Sequence, residues 1–181
     1  MDYEEKIVLK NGEQCCLKSL RFCDGKRMLN LFIGTHNETD FLLSYPDEIT
    51  FDENSESSFL QALFESRREA EIGAFIGEKL VGSAGITAKG KAEKLSHRAD
   101  FGVAVSKEYC GLGIGKALTI ACIKCAKKAC YKQIELEVSA DNKAAIALYK
   151  SLGFVEYGRN AKGFKLRGGK YSALVYMFLE L

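Results

Sequence analysis

Residues 138–154 read VSADNKAAIALYKSLGF, and residues 105–116, one helix-length earlier, read VSKEYCGLGIGK. The first stretch spaces Ala145, Leu148 and Leu152 as one face of a helix turned to a core. Asn142 stands where an N-cap is wanted and Gly153 where a left-handed cap ends a helix, so the spacing predicts a helix over 142–152. In the second stretch, glycines at 111, 113 and 115 open a longer helix expected over 111–130. A helix start leaves N–H groups unpaired at the positive end of its dipole, and glycine lets a ligand approach the backbone. Together these make an anion site suited to a pyrophosphate, with Lys116 as a nearby cation.

Around these two helices the pattern is one of strands. Ile7–Leu9, the tight-turn pair Asn11-Gly12 and Cys15–Leu20 predict a hairpin. Helical spacing is expected over 26–36 and again over 57–69, with a loop around Pro46 between them. Residues 71–76 and 80–88 flank a Gly77-Glu78-Lys79 turn as an antiparallel hairpin, and 97–105 adds a third strand. Strands are also expected at 134–138, 154–158 and 171–179, with a polar, glycine-bearing loop over 159–170. The order is mixed α/β: an antiparallel meander leads into a strand-helix-strand-helix-strand unit.

The glycine turn alone admits several readings. The P-loop pattern G-x-x-x-x-G-K-[ST] is not met. A Rossmann fingerprint needs G-x-G-x-x-G directly after a strand. Here Lys116 takes the third glycine's place and the turn begins well after Val105, although Glu135 and Glu137 do follow at the distance expected of a ribose-binding acid. A plain strand-to-helix turn is the remaining alternative.

The pair of motifs resembles the GNAT superfamily of acetyltransferases. Cys110, Gly111, Leu112, Gly113, Ile114 and Gly115 align with its pyrophosphate loop [QR]-x-x-G-x-[GA], departing only at Cys110. Residues 138–154 meet V-x-x-x-N-x-x-A-x-x-L-Y-x-x-x-G-F at every fixed position. The resemblance is firm over 97–154 and weak over the first 70 residues. It implies a mostly antiparallel central sheet with a splayed strand pair flanked by helices, one domain over 1–181, and acetyl-CoA as cosubstrate. Contacts to acetyl-CoA are implied for Cys110–Lys116, for Val103, Ala104 and Val105 along the pantetheine arm, and for Asn142 and Tyr149. The family also admits homodimers.

The resemblance implies direct attack of a primary amine on the thioester. The amine must be neutral, yet a lysine-like amine of pKa near 10.4 is neutral in only about one molecule in 2,500 at pH 7, a loss of roughly 4.6 kcal/mol unless a base takes the proton. Glu135 and Glu137 share one strand face. The run Leu136-Glu137-Val138, followed by Asn142 and Tyr149, looks like the ribosomal-protein alanine acetyltransferases within the superfamily, where the matching glutamate is the base. Glu137 is therefore the expected base, and Asp100 the second candidate. Tyr149 matches the tyrosine that protonates the departing thiolate. The acceptor, a small molecule, a polyamine, a peptide or a protein N-terminus, would be shaped by 26–69 and 159–170, and the acidic run from Asp47 to Glu56 is either a lure for a cationic amine or a solvated loop. A non-catalytic acyl-CoA-binding sensor of the same fold is the alternative, with Cys110 in its favour.

Bulk properties narrow the field. The chain has 181 residues, of which 47% are hydrophobic and 28% charged, a globular balance that supports one well-buried core. A formal charge of +2 is too small for a nucleic-acid-binding protein. The opening MDYEEKIVLK lacks the build of a signal peptide, and no apolar run approaches the roughly 18 residues of a membrane helix, so a cytoplasmic, non-membrane protein is expected. Its seven cysteines are expected to be free thiols. Cys122 and Cys125 form a C-x-x-C but fall on the apolar stripe of a helix, so no metal is expected.

Overall fold

The computed structural model describes residues 1–181. Apolar side chains at alternate positions of six of its strands bury one or both faces of an eight-stranded sheet in the order β1-β2-β3-β4-β5-β6-β8-β7. The hairpin β1 (Glu4–Val8) and β2 (Gln14–Ser19) turns at Gly12, whose φ of 88° suits glycine. Helices α1 (Gly25–Glu38) and α2 (Glu53–Glu65) follow, and then β3 (Ala70–Ile76), β4 (Lys79–Ala88) and β5 (Arg98–Val105) continue the antiparallel meander. Helix α3 (Ile114–Lys128) crosses over to β6 (Gln133–Ser139), which lies parallel to β5. Helix α4 (Lys143–Ser151) then leads to β7 (Val155–Lys165) and β8 (Tyr171–Glu180).

Strand periodicity sorts the two faces. Ile72, Ala74, Ala84, Ile86, Ala99, Ile134 and Leu136 join Leu118, Ala121, Cys122 and Cys125 of α3 in the main core. On the other face, Phe75 packs with Leu31 of α1 and Leu60 of α2 in a smaller cluster. That second face of β3 to β6 carries Glu71, Ser83, Thr87, Asp100, Glu135 and Glu137, an unusual polar load for a covered sheet. All seven cysteines are free thiols. No helix is long and apolar enough to cross a membrane.

The expected boundaries change most in the last hairpin. The polar stretch expected to be a loop over 159–170 is largely strand: β7 runs to Lys165, pairing Arg159 with Val175 and Lys165 with Tyr171 through two register shifts. Edge-strand side chains mostly face water, so their polarity hides the strand. Only residues 166–170 form the turn, and its Arg167 grips Asp47 at 2.6 and 2.8 Å while the Arg167 N–H donates to the Tyr45 hydroxyl at 3.0 Å. Helix α2 begins at Glu53, four residues before the expected start at 57, because Asp52 caps it by accepting from the Ser55 N–H at 2.8 Å.

Candidate active site

Strands β5 and β6 pair only over Arg98–Asp100 and Gln133–Glu135, and beyond that point they diverge. The closed end of the splay is held by charge. The Arg98 guanidinium binds the Glu135 carboxylate through both oxygens, with Nη2 to Oε2 at 2.7 Å, and Lys89 bridges Asp100 at 2.6 Å and Glu135 at 3.5 Å. Glu135 is 2% exposed, and its partners hold its carboxyl below the usual range, Arg98 first. Glu137, the next residue on that face, is exposed and lies past the last paired position.

Two cavities meet at Val103 and Ala104, on the edge of β5 that has lost its partner. One, of about 910 Å³, lies toward α3 and α4. It is entered by the turn in which Gly111 and Gly113 have φ of 82° and 100°, a conformation that favours glycine. Gly113 is the N-cap of α3, so the first-turn N–H groups of that helix open on this side. Lys10, Lys107 and Lys116 bring positive charge to the same cavity. Val105, Cys110, Gly115, Asn142 and Tyr149 also line it. Leu112 and Ile114 do not: Leu112 packs on the core and Ile114 is buried, which leaves only their backbone to a ligand. Asn142 caps α4 by accepting from the Ala145 N–H at 3.1 Å.

Tyr149 is the buried residue of α4, at 7% exposure. Its ring meets Phe101 edge-on with centroids 6.2 Å apart and leans on Phe154 at 5.7 Å. Burial pushes its phenol up to about 12, so the hydroxyl keeps its proton at any working pH.

The other cavity, of about 810 Å³, lies between α1, α2 and the polar sheet face. Asp100 lines it but is engaged by Lys89, whereas Glu137 lines neither cavity. Two residues with no site role in the sequence reading, His36 and Glu71, stand here, beside Glu56 from the end of the acidic run. Burial, with the Glu56 charge adding to it, pushes the Glu71 carboxyl up to about 7 against a weaker opposing hydrogen bond from Ser83. Burial also raises Glu56. An acid inside an otherwise apolar strand, Ala70-Glu71-Ile72, opposite Gly85 and diagonal to Ser83, was the available signal. The acidic run from Asp47 to Glu56 is thus divided among a tertiary ion pair, a helix cap and a cavity wall.

Sheet order, splay and glycine turn define an α/β protein that offers an anion cradle on one side of an open strand edge and an acid-lined cavity on the other. The chain belongs to the acetyltransferase (GNAT) family, whose sequence profile matches residues 32–154. It is 34% identical over 97 residues to the N-alpha-acetyltransferase RimI of Mycobacterium tuberculosis, covering 54% of this chain and 59% of that protein. The chain therefore spans less than two thirds of that relative. An acetyltransferase of the GNAT family from Streptococcus pneumoniae superposes with a TM-score of 0.88 at 24% identity, over 92% of this chain and 99% of the other. YncA of Salmonella typhimurium, solved with its cofactor acetyl-CoA, superposes with a TM-score of 0.81 at 17% identity over 91% and 92%. Both structural likenesses speak to the fold. No group of three or more His, Cys, Asp or Glu side chains is arranged to hold a metal ion.

Proposed function

We propose that this chain transfers the acetyl group of acetyl-CoA to a primary amine, and that residues 1–181 act as one such domain. The observation that carries this reading is the meeting of two cavities at the unpaired edge of Val103–Ala104. A cosubstrate and an acceptor entering from opposite sides would meet there, and such positioning is worth up to roughly 7–11 kcal/mol.

In this reading the first-turn amides of α3, with Lys116, Lys107 and Lys10, receive the diphosphate, and the exposed edge of β5 pairs with the pantetheine arm. Cys110 leaves that contact to backbone N–H groups, which a side-chain change does not remove. Glu137 is the base: it is the first acid past the point where β5 and β6 part, and no cation occupies it. Asp100 is a weaker candidate because Lys89 already holds it. The amine nitrogen attacks the thioester carbon, the C–S bond breaks, the amine's proton leaves to Glu137, and Tyr149 delivers its proton to the thiolate. The phenol is then restored from solvent.

The test is release of free thiol from acetyl-CoA across a panel of amines, amino acids and peptides. Turnover on at least one class is expected, with Glu137→Gln lowering kcat by about 10²- to 10⁴-fold and Asp100→Asn by much less. Coenzyme A binding with no turnover on any amine would replace this reading with that of a sensor.

A further inference from the structure

The acceptor cavity carries more negative charge than the chemistry of transfer needs. Glu56 is 8% exposed, lines the cavity, and its carboxylate makes neither a hydrogen bond nor an ion pair. Glu71 has only the Ser83 hydroxyl. No lysine or arginine lines this cavity, and its one histidine, His36, is turned through Nδ1 to the Phe32 carbonyl at 2.7 Å. Of the three acids on the wall, only Asp100 has a cation of its own. Two shielded carboxylates facing one space without a counter-charge are costly unless a cation arrives from outside.

Their position argues against a role in the proton transfer itself. Glu71 pairs across β3 and β4 with Gly85, and Gly85 pairs with Gly102 of β5. The carboxylate leans over Gly85, where a Cβ would collide with Oε2. It therefore stands about one strand spacing, ~4.8 Å, short of the β5 backbone, with the splay beyond that strand. A base must come within about 3 Å of the proton it takes, or reach it through one water. About half of the residues lining the cavity are apolar, Leu31, Phe32 and Phe59 of α1 and α2 among them. A cavity with apolar surface, a cation-seeking end and a reactive end matches a chain of methylenes between two amino groups.

Building on the transferase reading above, we infer that the acceptor is a diamine-class compound whose distal ammonium is held by Glu71 and Glu56 while its other amine faces the thioester. Gly85 serves this arrangement directly, because the Cβ it lacks would fill the space in which the Glu71 carboxylate lies.

Calorimetric titration of the coenzyme A-saturated protein with 1,4-diaminobutane and 1,6-diaminohexane, each against the monoamine of equal chain length, reads the proposal independently of turnover. At least one diamine is expected to bind tenfold or more tightly than its matched monoamine. Glu71→Gln and Glu56→Gln, which keep shape and remove charge, are each expected to cut that ratio at least fivefold. The second variant guards against a folding effect of the first. Equal affinity for diamines and monoamines, or a ratio unmoved in both variants, overturns the proposal. Thiol release with a monoamine or a peptide and no diamine preference overturns it and leaves the transferase intact. Diamine binding that depends on both acids without thiol release on any amine supports the cation seat and overturns the transferase.

Discussion

Tyr149 does two jobs that a substitution separates. Its ring packs against Phe101 and Phe154, while its hydroxyl is the proposed proton donor. Tyr149→Phe keeps the packing and removes only the donor, so kcat should fall by about 10²- to 10⁴-fold while the affinity for coenzyme A stays within about threefold. Steady-state rates alongside calorimetry check this, and equal losses in both would assign the residue to binding instead. Glu71 makes a prediction of the opposite kind, in stability. Its folded pKa of about 7 lies above its ordinary value of 4.5, so between those values the folded state holds a proton that the unfolded chain has lost. Stability therefore falls as pH rises through that window, and the whole cost is present above it. Glu56, Asp100 and His36 share the cavity, and Glu56 adds to the cost. Glu71→Gln should raise stability at pH 8 by about 1–3 kcal/mol and leave it unchanged near pH 4.5, as read by urea denaturation at both pH values. Tyr149 was legible from its place within a helix motif. Glu71 was not, and Glu56 was visible only as the end of an acidic run, because what sets the two apart is a shared cavity assembled from α2, β3 and β4.

Among the elements, α3 is the one whose opening matters most. Gly113 sits at φ 100° with open space where a side chain would go, so its constraint is conformational and not steric crowding. Gly113→Ala should cost about 1–3 kcal/mol of local strain. The expected result is a lower melting temperature together with weaker coenzyme A binding, by calorimetry, as the first-turn amides turn away. A variant that melts lower but binds equally well would detach this turn from the diphosphate. Both helices of the motif region were readable from caps and periodicity because those signals are local. The long β7 was not. An edge strand needs a partner more than it needs buried side chains, and β8 supplies that partner from residues up to 23 positions away.

At the scale of the whole molecule, the splay depends on being closed at one end. Arg98, Glu135, Lys89 and Asp100 tie β4, β5 and β6 together just before β5 and β6 separate. Removing Arg98 leaves a buried carboxylate with Lys89 as its one cation and the Gln133 amide as a neutral donor. Arg98→Met should therefore destabilise the fold by about 2–3 kcal/mol, below the usual cost of breaking a buried pair because Lys89 remains. The folded pKa of Glu135 lies below its ordinary value, so the pair's contribution is present above that value and is lost as pH falls through the folded pKa. The gap between the two proteins should shrink as pH drops from 7 toward 3, and denaturant midpoints across that range measure it. Strand alternation put Glu135 and Glu137 on one face, and only the family resemblance singled out Glu137. Pairing with β5 separates them, making the first a structural ion-pair partner and leaving the second free.

Local rules determined the helices, the caps, the glycine turn and the alternation of the central strands, since each is set by residues within a few positions of one another. The same rules carried the family resemblance, because its motifs are short and contiguous. Tertiary structure alone decided where β5 and β6 part, which acids find cations, and which side chains line each cavity. Those properties belong to contacts between residues far apart along the chain, and no periodicity or spacing encodes a meeting of that kind.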